Sequence, residues 1–318
     1  MEKDAINALH IVDVNNLSYR GLYNRAEYTY GVSIHKGIYQ SDKLPMGVVY
    51  YIFNHLNRID EQVFAGVNNY YAFCADSRNI IKKELFPEYK AQRNYDQAKK
   101  YHLYEQMEFL KQLLRDNGFP VFEINGYEAD DLSYSLWCDY RDYYDFVFFH
   151  VNDSDYHFMI DSDKVGIIKP VNGGLCKLIN KENFEAETGL AFNLALFQKL
   201  INSDTSDNVR GIGMKWSAKL LQLAKEMGSG YANNQLNNPR ALRNLVIEAG
   251  KQISGFPLEQ ANRILDILIP TYVRIEDGKE IAKGRLIQPY KYFDRDILRS
   301  GSELEKQSLK SYIENFRE

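Results

Sequence analysis

Cysteine is scarce. Cys74, Cys138 and Cys176 lie 64 and 38 residues apart, which is neither a disulfide framework nor a zinc pattern and favours a reducing compartment. The six histidines form no ligand pair at helical spacing, so zinc is not expected. Long apolar runs are missing too. The longest uncharged stretch, Leu44 to Asn57, is too short to span a bilayer, so no membrane partner is expected. The amino terminus, MEKDAINALHIVD, carries charge without a long apolar region, so no signal peptide is expected. Net positive charge is also absent: 39 Lys and Arg stand against 43 Asp and Glu, a formal −4. This excludes a globally basic nucleic-acid binder but leaves room for a local basic face. No internal repeat or low-complexity tract is present.

What remains is a globular composition, 45% hydrophobic and 26% charged over 318 residues, enough for about two domains. Short β-branched or aromatic runs at Leu9–Val14, Tyr70–Ala75, Phe119–Ile124, Phe146–Val151 and Val165–Ile168 alternate with helical stretches at Gln97–Asn117 and Glu128 to about Asp142. Gly118 is placed to end the first of these helices. The alternation predicts an α/β domain over residues 1–190 with a mostly parallel sheet covered on both faces. Beyond it, helical periodicity at Phe192–Ile201, Ser217–Met227, Arg240–Ile253 and Leu258–Ile269 predicts a second, mostly helical domain over 191–318.

The acids fall at strand ends. Asp13 closes the first strand and Asp76 follows the second. Glu128, Asp130 and Asp131 open the helix after the third, and Asp153 and Asp155 follow the fourth. In a parallel sheet these positions share the edge where ligands bind. Residues 123–163 hold eleven acids and one base, Arg141; carboxylates this dense repel unless a cation sits among them. Oxygen donors without His or Cys select Mg2+, Mn2+ or Ca2+. Two such ions about 4 Å apart activate a water and neutralise the leaving oxygen of a phosphodiester. Asp204 and Asp207 are positioned to add a fifth contribution. Singly, acids after strands also serve as helix caps; the combination EADD with DSD is more specific.

Two basic segments accompany them. Residues 76–115 carry nine Lys or Arg against six acids. Within them, Lys82 to Arg93 mixes bases with Phe86 and Tyr89, a composition that suits phosphate contact and base stacking, or equally a charged surface helix. Asn208 to Lys225 contains Arg210, Lys215, Lys219 and Lys225, no acid, and the turn Gly211-Ile212-Gly213 before an amphipathic helix. Such a turn suits duplex backbone binding.

The motifs IVDVNN at Asp13, FCADSR at Asp76, FPEYKAQR at Phe86–Arg93, GYEADDL at Gly126–Leu132, NDSDYHFM at Asn152–Met159 and SDTSDNVRGIG at Ser203–Gly213 come in one order. In that order the chain resembles the 5′-nuclease (flap endonuclease) superfamily. The likeness is to its phage branch, typified by the T-even phage ribonuclease H and related to the 5′-nuclease domain of bacterial DNA polymerase I. The resemblance implies a parallel-sheet, PIN-like core with a helical arch at about 80–105 and a helix–three-turn–helix duplex clamp at about 203–225. It implies 5′→3′ exonuclease and flap endonuclease activity and removal of RNA primers. Two Mg2+ ions would serve, with Mn2+ able to substitute.

By the same resemblance, Asp13, Asp76, Glu128, Asp130 and Asp153 match the first metal cluster. Asp155, Asp204 and Asp207 match the second, with Asp153 shared, and Asp131 matches an additional acid of the set, placed behind the direct ligands. Lys90 and Arg93 match arch bases that engage the scissile phosphate, and Tyr89 an aromatic that stacks on the terminal base. Lys83, Arg210, Gly211, Gly213, Lys215 and Lys219 complete the expected nucleic-acid contacts. The implied partners are DNA duplexes with 5′ flaps or ends, RNA–DNA hybrids, and replication proteins such as a single-strand-binding protein or sliding clamp. The implied setting is a monomer in the phage-infected bacterial cytoplasm. Asn152 and Ser203 stand where the family has Gly, the loop after Asn208 is shortened, and Trp216 replaces a small polar residue. The last two bear on duplex geometry and a monovalent-ion site. Two rivals remain open: a non-catalytic, structure-specific DNA-binding protein of this fold, and an aspartate-nucleophile phosphatase using Asp13, whose usual second Asp is Asn15 here.

Overall fold

The computed structural model describes residues 6–23, 47–62, 67–93, 97–116, 119–171, 176–202, 204, 207–228 and 235–274. Gly118, Ser203, residues 94–96 of the expected arch and the tail from 275 lie outside the described residues.

The strands are β1 (Asn7–Asp13), β2 (Asn68–Cys74), β3 (Val121–Phe122), β4 (Phe146–His150), β5 (Val165–Pro170) and β6 (Cys176–Asn180), in the order β3-β2-β1-β4-β5-β6. The first five are parallel and β6 is antiparallel. The helices are α1 (Val14–Tyr23), α2 (Gly47–Gln62), α3 (Ile81–Leu85), α4 (Gln97–Asp116), α5 (Ala129–Tyr140), α6 (Phe184–Thr188), α7 (Ala195–Ile201), α8 (Ser217–Glu226), α9 (Pro239–Gln252) and α10 (Leu258–Leu268).

Strand periodicity assigns the two faces. Leu9 and Ile11 of β1 pack with Leu132 and Leu136 of α5. Val12 points the other way, with Leu17 of α1, Ile52 of α2 and Leu110 of α4. The core containing Leu9 and Ile11 runs on without a break into Phe197, Leu220, Leu245 and Leu265 of the later helices. Residues on both sides of position 190 therefore share one apolar core. Asn238 caps α9 by accepting from the Ala241 N–H at 3.1 Å, with Pro239 in the first turn, where a missing N–H costs nothing.

Register fixes the functional edge. Asp13 pairs with Cys74, and Val12 with His150, so β1, β2 and β4 end at one level. The acids just past each end share that edge.

Candidate metal centre

Each acid is held by the local geometry that ends its strand. Asp13 is the residue before α1, and its Oδ1 accepts the Asn16 N–H at 2.8 Å while its Oδ2 accepts the Tyr156 hydroxyl at 2.9 Å. Asp76 accepts the Ala129 N–H at the start of α5 at 2.8 Å. Glu128 caps α5 in a reciprocal box with Asp131, two orphan donors satisfied together. Asp153 accepts the Asp155 N–H at 3.0 Å. The capping role that each acid suggests singly is real, and the caps converge on one place. Asn15 and Asn16 splice the exits together: Asn15 Oδ1 accepts the Asp76 N–H and Asn16 Oδ1 the Asn152 N–H, each at 2.8 Å.

Asp13, Asp76, Glu128, Asp130, Asp153 and Asp155 line a single cavity of about 290 Å3, with Lys90, Arg93 and Tyr156 on its wall. Asp207 is buried beside it, and Asp204 is tied to Val209 by a two-way backbone bridge at 2.7 and 2.8 Å. Asp131 does not line that cavity. It is 2% exposed, and its oxygens accept the N–H groups of Glu128 at 3.1 Å and Thr271 at 2.7 Å.

Burial and mutual repulsion set the electrostatics. Burial raises the pKa of Asp13, with Asp76 and Asp153 adding to the rise. Burial likewise raises Asp76, with Glu128 adding. Asp130 is pushed up to about 7 by burial, against the pull of Lys82, with Asp131 and Glu128 adding. Asp153 is raised by burial, with Asp207 and Asp204 adding. Glu128 alone goes down, to about 2, because Lys82 and Lys90 together outweigh its burial. Four carboxylates thus remain short of positive charge although lysines already sit among them. A divalent cation would relieve that deficit, and the all-oxygen donor set fits Mg2+ or Mn2+.

The resident cations come from three elements. Lys82 lies 3.1 Å from Glu128, 3.3 Å from Asp131 and 3.5 Å from Asp130. Lys90 donates to Glu128 at 2.6 Å and Arg93 pairs with Asp207. Lys199 of α7 pairs with Asp155. Residues 86–93 lie across the acidic edge and reach the helical region: Asn208 Nδ2 donates to the Glu88 carbonyl at 2.9 Å, and Arg263 pairs with Glu88. Lys90 and Asn208 both take left-handed backbone angles, φ 56 and 60, an uncommon state for residues other than glycine.

The expected stacking residue, Tyr89, is placed differently. It is 3% exposed and donates its hydroxyl to Glu128 at 3.1 Å, so its ring is not offered to a base in this conformation. Lys83 is exposed and lines a second cavity of about 520 Å3, which shares Asp76, Lys90, Arg93 and Glu128 with the first and adds Arg78 and Tyr104. Further along, Arg210, Lys215 and Lys219 are exposed, and the two lysines each stand 5.0 Å from the Trp216 ring. Gly211 is required by close approach, since a Cβ there would collide with the carbonyl oxygens of Ile201 and Asn202. The N–H of Gly213 donates inward to Ile201 at 3.0 Å, so it is not free for a phosphate. No role at the acidic edge was legible in the sequence for Lys82, Lys199, Tyr156, Asn15 or Asn16. Only the position of Lys82 inside a basic run hinted at a role.

The profile of the 5'-3' exonuclease N-terminal resolvase-like domain family matches residues 8–189. The chain belongs to this family. Curated relatives of this exonuclease-family chain include DNA polymerase I of Caldicellulosiruptor bescii, 27% identical over 290 residues, covering 88% of this chain and 32% of that protein. Another is the 5'-3' exonuclease of Bacillus subtilis, 31% identical over 145 residues, covering 44% of this chain and 47% of that protein. The chain therefore spans a third to a half of the length of these relatives. Among solved structures, a bacteriophage T5 protein co-crystallized with metal ions matches with TM-score 0.51 and 18% identity, over 82% of this chain and 98% of that one. The bacteriophage T5 flap endonuclease in a complex with DNA and metal ions matches with TM-score 0.51 and 19% identity, over 82% and 99%. At that identity the likeness establishes the fold. The parallel sheet with helices on both faces is thus a 5′-nuclease core, as its motifs implied. Among the described residues no helix is long and apolar enough to cross a membrane.

Proposed function

We propose that the chain is a divalent-metal-dependent 5′-nuclease that cuts phosphodiesters at 5′ ends and flaps of DNA duplexes and removes RNA primers from RNA–DNA hybrids. The observation that carries this is the cavity lined by six carboxylates from four adjacent parallel strand exits, with Lys90 and Arg93 on its wall. Asp13, Asp76, Glu128, Asp130 and Asp153 would hold one ion, and Asp155, Asp204 and Asp207, sharing Asp153, a second. Bound there, Mg2+ or Mn2+ supplies an acidified water and charge neutralisation at the phosphate.

The protein's own groups do the rest. Asn15 and Asn16 hold the strand exits in register, and Tyr156 fixes Asp13. Lys90 and Arg93, freed from Glu128 and Asp207, would turn to the non-bridging oxygens of the scissile phosphate and offset charge that builds in the transition state. Arg210, Lys215 and Lys219 would carry the duplex backbone, so cleavage would follow shape rather than sequence. Asn15 stands two residues after Asp13, where an aspartate-nucleophile phosphatase usually has a second Asp, which disfavours Asp13 as a covalent nucleophile. The protein would work as a monomer in the bacterial cytoplasm alongside replication proteins.

The test compares end-labelled 5′-flap, blunt and RNA-primed duplexes under saturating Mg2+. Short 5′ products, with a preference among the three, support the proposal and name the substrate. Binding without cleavage of any of them makes the non-catalytic, structure-specific DNA-binding reading correct instead.

A further inference from the structure

Among the described residues, one group of three acids brings its carboxylate oxygens within 4.8 Å of one another: Glu128, Asp130 and Asp131. The Lys82 ammonium already contacts all three, at 3.1, 3.5 and 3.3 Å. Lys82 is 5% exposed. Its helix is fastened to the turn that leads into Glu128, through Ile81 N–H to the Gly126 carbonyl and Gly126 N–H to the Asn79 carbonyl, each at 2.9 Å. The other cations differ. Lys90 and Lys199 side chains are 16% exposed and Arg93 34%, and Lys90 and Arg93 sit on the segment that crosses the cavity. Lys82 is buried on a helix that is tied by backbone hydrogen bonds to the turn before its acids. Asp131 is committed as well, to the Glu128 and Thr271 N–H groups.

We propose that Lys82 is a built-in cation and a positioning residue. Its ammonium fills the place that Glu128, Asp130 and Asp131 would otherwise offer a further divalent ion, orients Glu128 and Asp130 towards the cavity, and keeps Asp131 out of the ligand set. This rests on the metal-centre reading above and adds a limit on ion count that the acids alone do not set. A fixed charge of this kind also keeps the crowded carboxylates together before any metal arrives.

The test is Mn2+ binding, by calorimetry and by paramagnetic resonance, to wild type, Lys82→Met and Lys82→Arg. Lys82→Met keeps the apolar stem and leaves three acids without their counter-charge. It should bind Mn2+ at least about tenfold more tightly, or take up one further ion per chain. Lys82→Arg should bind like wild type. Equal stoichiometry and affinity in Lys82→Met and wild type overturns the inference. Should Lys82→Met be unfolded without metal, Mn2+ should restore its helical circular dichroism; failure to restore it while Lys82→Arg folds also overturns the inference. Absence of Mn2+ binding by wild type itself would instead sink the underlying metal-centre reading.

Discussion

Lys90 donates its ammonium to Glu128 at 2.6 Å, and its own N–H is held by the Asp207 carbonyl at 3.0 Å. One residue of the crossing segment thus spans the acids after β3 and the acids of the helical region. In this conformation Lys90 neutralises Glu128, a position that a divalent ion would contest. Lys90→Ala should therefore bind Mn2+ more tightly than wild type while its kcat on a flap substrate falls by about 10²–10³, the usual loss for one charge-stabilising donor. Calorimetry and single-turnover kinetics on the same preparation check both halves. Unchanged kcat would remove Lys90 from the reaction.

Asp130→Asn and Asp155→Asn should each abolish cleavage and preserve duplex binding. Both line the cavity, and neither touches the Arg210–Lys219 surface proposed for the duplex. Gel-shift and cleavage assays in parallel decide the matter. A variant that cuts at the wild-type rate contradicts its assignment as a ligand.

The pH dependence follows from the acids. Asp13, Asp76 and Asp153 are raised above their ordinary values, and Asp130 from 3.8 to about 7. Between about pH 4 and about pH 7 these acids hold more protons in the metal-free folded chain than in the unfolded one, so they make it less stable as pH rises through that window. Glu128, lowered to about 2, works in the opposite sense: its contribution is present above the unfolded value and is lost as pH falls towards 2. Divalent binding must expel the retained protons. The rise in unfolding temperature caused by Mg2+ should therefore grow between about pH 5 and about pH 8. Buried His10 and His55, lowered to about 4 and about 3, favour the folded chain near neutrality and lose that contribution as pH falls below 6.5. They act equally with and without Mg2+, so they cancel in the difference. A Mg2+ effect that is flat or shrinks with rising pH would contradict the retained-proton account.

Trp216 stands where the motif resemblance leads one to expect a small polar residue, and its place explains how the chain accommodates it. The indole is 7% exposed, 5.5 Å from the Phe256 ring, and belongs to the core that runs back to β1. Trp216→Ala should cost about 3–5 kcal/mol, measured as a shift in urea midpoint at constant slope. A shift below about 1 kcal/mol would mean the ring is not packed as described.

The sheet was readable because its strands are short, apolar and bounded, and because acids mark their ends. The acids that line the cavity were readable for the same reason: Asp13, Asp76 and Asp153 sit within three residues of a strand end, where chain continuity leaves them little freedom. What the linear sequence hid is long-range pairing. Lys82 and Lys83 are equivalent neighbours on paper, yet the turn of α3 buries the first among three acids and exposes the second. Tyr89 looks like a stacking platform until the fold brings Glu128 to its hydroxyl. Lys199 sits in an apolar helix, Ala195–Ile201, and only the packing of that helix on the sheet edge sets it against Asp155. Asp131 reads as an acid behind the ligands, but the Thr271 N–H that holds it there comes from 140 residues away.

The central claim is that the carboxylate edge is a metal-dependent phosphodiesterase centre. Its most direct test is single-turnover cleavage of one end-labelled 5′-flap duplex by wild type and Asp130→Asn, with bound substrate quantified in the same tubes, in Mg2+ and in chelator. The account predicts short 5′ products from wild type in Mg2+ alone, with binding but no products in the other three samples. Cleavage that persists in chelator or in Asp130→Asn, or full binding by wild type in Mg2+ with intact substrate, would contradict it.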